Sequence, residues 1–560
     1  MIILKRNIVF LLIIIIVLGI FIATSIEIKN YKLSLNQNKN EISKNPPIWP
    51  APFYGQFGNN SILISKEFNF TIISDSTLLL NKTLSKYYNL IFTQDNLINS
   101  SSNTLNKLNI NLKSKNEILK FGFDESYKLI IKNNENSKLE GNTVYGIMRG
   151  LETFYQLIKY NFSDNSYFIE NCLPLIINDK PRFPHRGVML DTSRHFYSVD
   201  TILKVIESLS YNKFNTLHWH IIDSQSFPLS SKSYPNLING AWSKSEIYSY
   251  HDIKRIIKYG KENGIRIQLE IDMPGHAKSW SVGYPDLLPH GWNDSTTTIK
   301  CPDYDVPLDP SSPLSLPISF GLLSEFSGTD YGYNPNYDDK SNNLFNLTVD
   351  DLFHVGGDEI EYQCWNNSKR IKDWMNENNL KTFQDVAKQF QLKIIKQLLK
   401  IGKIPVLWED TFQLFYKDLP KDVIVEIYHD QSTAINATNN GYKIISSIAR
   451  YWYLEYSYSN WIRAYNFEPT LNISKSNIHL VLGGEGAIWS ESIDSSNLFQ
   501  KLYPTSSAIA ERLWSPIYYT NLLNAKSRLQ SFRCSLLKRG INSAPLNNSS
   551  PLSAFSCYNS

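Results

Sequence analysis

The sequence predicts an α/β protein: a (β/α)8 TIM barrel preceded by a small α+β domain. Three observations predict it. From Arg182 onward, eight short apolar runs recur, at 187–190, 216–222, 265–271, 352–355, 404–407, 423–427, 444–448 and 480–482. Between most of them lie stretches with apolar residues at helical spacing, such as 201–209, 253–259 and 383–399, so strand and helix patterns alternate. Polar, acidic and aromatic residues gather where the runs end, and barrels of this kind place their sites there.

The elements follow in order. Lys5 and Arg6 precede an unbroken apolar run over 8–23, and Ala23-Thr24-Ser25 supplies small residues for cleavage. The run is long for a signal-peptide core and short for a membrane-spanning helix. Residues 1–25 are therefore a targeting segment, either a cleaved signal peptide or an uncleaved signal-anchor. Either one sends the body of the chain into the secretory lumen. Residues 26–50 are polar, Asn- and Lys-rich, end in Asn45-Pro46-Pro47, and form a linker. Residues 51–180 alternate apolar and polar in short runs (68–73, 127–131) and close with a helical pattern over 144–158; they form the α+β domain. Residues 181–560 form the barrel, with a last helical stretch at 525–539 leading into the tail. The polar, Asn- and Tyr-rich segment 330–346 precedes a strand and belongs on the face opposite the site.

Composition narrows the function. The chain has 560 residues and 42% hydrophobic content, enough for two to four domains. A net charge of +4 is small for this size and argues against nucleic acid as a partner. Aromatic residues make up 13%, with 12 Trp, which suits carbohydrate faces. Asn-x-Ser/Thr acceptors at Asn59, Asn69, Asn81, Asn99, Asn161, Asn293, Asn346, Asn366, Asn436, Asn472, Asn547 and Asn548 fit a secretory glycoprotein. The five cysteines are too scattered for a zinc site. In an oxidising compartment one is left over. Cys534 with Cys557 would staple the tail, and Cys301 with Cys364 would clip the loop before the fourth barrel strand to the loop after it. Cys172 is then a buried thiol.

The run ends carry the chemistry. The most telling is His354-Val355-Gly356-Gly357-Asp358-Glu359. Adjacent acids on extended backbone point to opposite faces, so Asp358 and Glu359 are expected to do different jobs. The other runs contribute Arg186, Asp191, Arg194 and His195; His218, His220 and Asp223; Asp272 and His276; Trp408, Glu409 and Asp410; Tyr428; Trp452, Tyr453 and Glu455; and Glu485, Trp489 and Glu491. Glu485 is expected to brace the barrel interior. His218 and His220 with Asp223 could begin a metal site, but no bridging Lys or second His pair follows, so neither metal nor cofactor is expected.

This constellation resembles the family 20 glycoside hydrolases, the β-N-acetylhexosaminidases of lysosomal or secreted eukaryotic type, over about residues 50–560. The resemblance rests on the His354–Glu359 motif, Arg186-Gly187 with Asp191-Thr192-Ser193-Arg194, His218-Trp219-His220, Pro274-Gly275-His276, Gly483-Gly484-Glu485 with Trp489, and Arg149-Gly150-Leu151-Glu152-Thr153-Phe154 in the first domain. It implies hydrolysis of terminal, non-reducing N-acetyl-D-hexosamine from β-glycosides, with retention assisted by the substrate's own 2-acetamido oxygen, an exception to the two-carboxylate scheme. The partner implied is an oligosaccharide or glycoconjugate ending in β-N-acetylglucosamine or N-acetylgalactosamine. The location implied is lysosomal or secreted, membrane-anchored if the leader stays. A homodimer is expected by analogy alone.

The resemblance also implies roles. Glu359 protonates the glycosidic oxygen and then takes a proton from water. Asp358 holds the acetamido N–H and the charge that develops beside it. Tyr453 donates to the acetamido carbonyl, and Trp408, Tyr428 and Trp489 wall the pocket. Arg186, Glu455 and Glu491 bind hydroxyls, while Asp223 and His276 sit behind Glu359 and tune its proton affinity. Three positions depart from the frequent pattern: Tyr428 replaces Trp, Glu455 replaces Asp, and Tyr456 stands where some members carry Arg. The first two bear on gluco against galacto preference, and the third favours neutral sugars. Two rival readings are a metal-dependent amidohydrolase using His218, His220 and Asp358, and a sugar-binding protein with a decayed site. The intact Asp358-Glu359 and Tyr453 count against decay.

Overall fold

A computed structural model describes residues 47–132, 137–293, 300–327, 350–546 and Cys557. The targeting segment, most of the linker, the 330–346 segment and the acceptors Asn346, Asn547 and Asn548 lie outside the described residues.

The first domain is a six-stranded sheet. Its strands are β1 (Tyr54–Ile72), β2 (Thr104–Leu112), β3 (Tyr127–Ile131), β4 (Lys138–Gly141), β5 (Ile158–Asn161) and β6 (Ser166–Asp179). They lie in the order β1-β2-β4-β3-β6-β5, with β1 also pairing β6. Helices Leu78–Ile91 and Val144–Leu157, capped by the hydroxyls of Thr77 and Thr143, share one apolar cluster with the sheet.

Each of the eight apolar runs forms a strand of a closed parallel barrel: β7 (His185–Asp191), β8 (Thr216–His220), β9 (Arg266–Glu270), β10 (Leu352–His354), β11 (Ile404–Trp408), β12 (Ile424–Ile427), β13 (Lys443–Ser446) and β14 (Val481–Ile488). Covered on both faces, such strands read as short continuous runs. Along β8 the side chains alternate. Leu217 and Trp219 join the apolar layer outside the barrel. His218 and His220 point inward, to Glu485 of β14 and Glu270 of β9. Helix starts are fixed chemically: Ser198 caps Val199–Tyr211, and Ser249 with Asp252 and Thr382 with Asp385 form reciprocal capping boxes on Tyr250–Glu262 and Phe383–Lys400.

The first domain is keyed to the end of the barrel where strands begin. Glu125 accepts from Arg149 at 2.9 Å, from Arg186 at 2.6 and 2.7 Å, and from Asn215 at 3.1 Å. Arg149 also donates to the carbonyls of Phe214 and Gly264, just ahead of β8 and β9. Glu125, Arg149 and Arg186 are all at most 2% exposed. Replacing Glu125 with Ala would strand two buried guanidinium groups. The expected cost is about 3–5 kcal/mol, read as a lower denaturation midpoint. A midpoint unchanged from the parent would contradict this account of the seam.

Cys301 pairs with Cys364 across a Cα–Cα distance of 4.6 Å, and Cys534 with Cys557 across 5.1 Å. Cys172 is buried and unpaired in the first domain, where burial pushes its thiol up to about 11.

Candidate active site

The fourth barrel strand empties into a turn that only glycine can make. Gly356 and Gly357 have φ of +59° and +94°. A Cβ on Gly356 would lie 1.6 Å from an oxygen of Asp272, and one on Gly357 would lie 2.5 Å from the Thr411 hydroxyl. The Gly357 N–H donates to that same Asp272 oxygen at 2.9 Å. Glu359 (φ +44°) and His276 (φ +53°) also lie in the left-handed region. For residues with a side chain this conformation costs on the order of 1 kcal/mol or more and is characteristic of functional sites.

The left-handed turn at Glu359 overturns the expectation that the two acids face opposite ways. Nε2 of His276 lies 3.6 Å from Oδ2 of Asp358 and 4.0 Å from Oε2 of Glu359, so both carboxylates converge on one ring. Their surroundings still differ. The Asp358 side chain is 11% exposed, that of Glu359 66%. Oδ1 of Asp358 is buried without a hydrogen-bond partner among the described residues. Behind them, Nδ1 of His276 faces Asp223 at 3.4 Å and Asp305 at 3.7 Å. Asp305 also accepts from the His276 backbone N–H at 3.0 Å, and its loop is tethered by the Cys301–Cys364 bridge. Glu359 is held above the usual carboxylate range by burial and by the charge of Asp358, with His276 opposing.

Four aromatic rings pack together at this end of the barrel, two of them, Tyr428 and Tyr453, near enough to Asp358 to feel its charge. Trp408 donates its indole N–H to Glu270 at 2.9 Å. Its ring meets Tyr428 edge-on at 5.6 Å and lies 6.1 Å from Trp489. Tyr453 lies 6.5 Å from Tyr428 and nearly parallel to it, and 6.3 Å from Trp489. The Tyr428 hydroxyl donates to Asp410 at 3.0 Å. Glu455 offers a buried, unpartnered Oε2, and Glu491 reaches out with a side chain 59% exposed.

One assignment is corrected. Arg186 does not reach this pocket. It is the second residue of β7, fully buried at the domain seam, and its guanidinium is engaged by Glu125 and the carbonyls of Phe183 and Lys213. The guanidinium at the pocket belongs to Arg194. It lies 2.8 Å from Asp223, 3.4 Å from Asp191 and 4.0 Å from Glu491, with its plane 4.9 Å above the Trp489 ring. Asp410 and Asp305 are further members that sequence reasoning did not single out for a role. Arg194 carried a usable signal, since it follows the end of β7 whereas Arg186 lies at the start of that same strand.

Two largely buried carboxyls after barrel strands, Glu409 and Glu455, make stability depend on pH. Burial raises Glu409 to about 7, with Asp410 adding and His429 opposing. Burial and the charge of Glu491 raise Glu455 to about 8. A carboxyl whose folded value is raised gives stability that is complete below the unfolded value and is lost as pH climbs through the folded one. Carboxylates outweigh burial to raise His220 to about 10 and to raise His218 and His276 as well, and these lose stability in the same direction above about pH 6.5. The free energy of unfolding is therefore expected to fall between pH 6.5 and 8, by up to roughly 1.4 kcal/mol per pH unit for each group titrating, read as a falling melting temperature. A flat or rising melting temperature across that window would contradict the assignment.

Among the described residues, three groups have the donor spacing of a cation site: His218, Glu270 and His354; His218, Glu426 and Glu485; and Asp223, Asp272 and His276. Both ring nitrogens of His218 and of His220 are already committed to carboxylates at 2.6–3.0 Å.

Comparison with known proteins agrees with this geometry. Residues 183–517 match the model of the glycosyl hydrolase family 20 catalytic domain, and residues 48–157 match a β-acetyl hexosaminidase-like domain. The chain is 47% identical to β-hexosaminidase subunit B2 of Dictyostelium discoideum over 94% of this chain and 92% of that one. It is 34% identical to the mouse β-hexosaminidase subunit beta over 90% and 92%. The crystal structure of Flavobacterium johnsoniae chitobiase superposes with a TM-score of 0.73 at 26% identity, covering 88% of this chain and 73% of that one. The chain belongs to glycosyl hydrolase family 20 and is a glycoside hydrolase of the β-N-acetylhexosaminidase type.

Proposed function

We propose that this site removes terminal β-linked N-acetylglucosamine or N-acetylgalactosamine by substrate-assisted retention. The observation that carries the reading is the convergence of Asp358 and Glu359 on one His276 nitrogen. A pair so placed, one carboxyl open to solvent and one largely buried, suits one group that moves protons and one that orients a nucleophile carried by the substrate, which is what the resemblance to the family implies. Glu359, raised and open to solvent, is the proton donor to the leaving oxygen and then the base for water. Asp358, with an unsatisfied buried oxygen, accepts from the acetamido N–H and stabilises the oxazolinium charge. Tyr453 donates to the carbonyl oxygen while Trp408, Tyr428 and Trp489 enclose the methyl group. Arg194, Glu455 and Glu491 take the ring hydroxyls, and the two acids disfavour anionic sugar substituents. A chromogenic aryl N-acetyl-β-glucosaminide should be hydrolysed and a thiazoline mimic of the cyclic intermediate should inhibit. A purified enzyme that leaves the glycoside intact, or ignores the thiazoline, would contradict the reading.

We further propose that the enzyme works in the secretory pathway, in lysosomes or outside the cell. The apolar leader supports this, as do the acceptors Asn59, Asn69, Asn81, Asn99, Asn161, Asn293, Asn366, Asn436 and Asn472, none of which is buried. Assembly with a second chain is supported by relatives that are named as subunits, and light scattering on the purified protein tests it.

A further inference from the structure

We propose that the Asp223–His276 pair behind Glu359 is the end of a longer file of alternating imidazoles and carboxylates through the barrel interior, and that His220, its central positioning residue, lowers the proton affinity of Glu359. The proposal rests on the reading of Glu359 as the acid. The file begins at Glu485 of β14, whose Oε1 lies 2.6 Å from Nδ1 of His218. Nε2 of His218 lies 3.0 Å from Oε2 of Glu270, and that oxygen lies 2.6 Å from Nδ1 of His220. Nε2 of His220 lies 2.9 Å from Oδ2 of Asp223. Asp223 then faces His276 through its other oxygen at 3.4 Å, and His276 reaches Asp358 and Glu359. Every member from Glu485 to Asp223 is fully buried.

Stability alone does not account for this arrangement. Barrels of this class normally fill their interior with branched apolar side chains, and well-packed apolar residues replace buried ion pairs at little or no cost. The file also ends at the reacting groups. His220 is the member that connects interior to pocket. It faces Glu270 of β9 on one side and Asp223 on the other. Asp272 at the end of β9 is close by, and the Trp489 ring stands edge-on at 4.9 Å. His276 faces Asp223, Asp305, Asp358 and Glu359. Bonded to carboxylates through both nitrogens, His220 donates from both and carries a positive charge. That charge shares Asp223 with His276 and Arg194, and it adds to the positive potential that keeps Glu359 willing to release its proton. Without it, Glu359 becomes the weaker acid.

The test is the pH profile of kcat/KM for His220→Gln, which keeps an N–H toward Asp223 but carries no charge. The alkaline limb, where Glu359 loses its proton, should move up by about half a pH unit or more. At the same time kcat should fall about tenfold on sugar leaving groups and much less on nitrophenyl ones, which need little protonation. Glu270→Gln removes the anion that holds the His220 charge, and should move the limb in the same direction. A purely structural role would lower kcat on both substrates alike and leave the limb in place. The proposal is overturned if both variants fold and keep the parental limb and leaving-group dependence while Glu359→Gln is inactive on the same sugar substrate. It is overturned equally if neither variant folds, which assigns the file to stability. If Glu359→Gln itself retains parental activity, the acid assignment fails, and the proposal falls with it.

Discussion

Glu359→Gln is expected to lower kcat/KM on natural β-glycosides by about 10²–10⁴-fold, with KM nearly unchanged. Glutamine has the same volume but no proton to give, and the side chain is largely solvent-exposed, so the fold should not suffer. The loss should depend on the leaving group. A nitrophenolate departs without protonation, so the first step would survive and the second, in which Glu359 takes a proton from water, would become limiting. A burst of nitrophenol followed by slow turnover is the expected trace. An anionic nucleophile such as azide, which needs no base, should restore turnover by trapping the intermediate. Full activity in Glu359→Gln on a disaccharide substrate would remove the acid assignment.

Asp358→Asn should cost about 10²–10³-fold in kcat, and its loss should not depend on the leaving group. The carboxylate lies beside His276 with one oxygen unsatisfied, where an acetamido N–H can meet it. An amide in its place would present neither full negative charge nor a reliable acceptor. The cyclic intermediate carries positive charge shared between nitrogen and oxygen, so the defect should appear in both steps. Binding of a thiazoline inhibitor should weaken in parallel with kcat, because the inhibitor carries the same ring. Thiazoline affinity equal to the parent, together with a large loss of kcat, would show that Asp358 acts elsewhere in the reaction.

The barrel was legible because strands covered on both faces must be apolar outward and short, and helices between them must show their buried face. The site was legible in outline because strand ends collect polar residues. Arg186 shows where that reasoning slips. Asp191 and Arg194 of the same motif stand at the pocket, but Arg186 is the second residue of the strand, and in a parallel barrel the start of a strand lies on the face opposite its end. The acid pair shows a second limit. Extended backbone at Asp358-Glu359 was the natural assumption, whereas positive φ at Gly356, Gly357 and Glu359 folds the two carboxyls toward one ring. Nothing in a residue letter marks a left-handed Glu. Glu270 and Glu426 sit inside runs that read as apolar strands, so the polar barrel interior was hidden by its apolar neighbours. Asp305 comes from a long loop and is brought in by the Cys301–Cys364 bridge, a distance in sequence that no local pattern spans.

The central claim is that the substrate supplies its own nucleophile while Asp358 orients it. The most direct test is to compare two aryl β-glycosides that differ only at C2, one with the acetamido group and one with a hydroxyl. The acetamido glycoside should react at least about a thousandfold faster in kcat/KM, since a tethered and oriented nucleophile is lost with the group. Equal cleavage of the two glycosides would contradict the account.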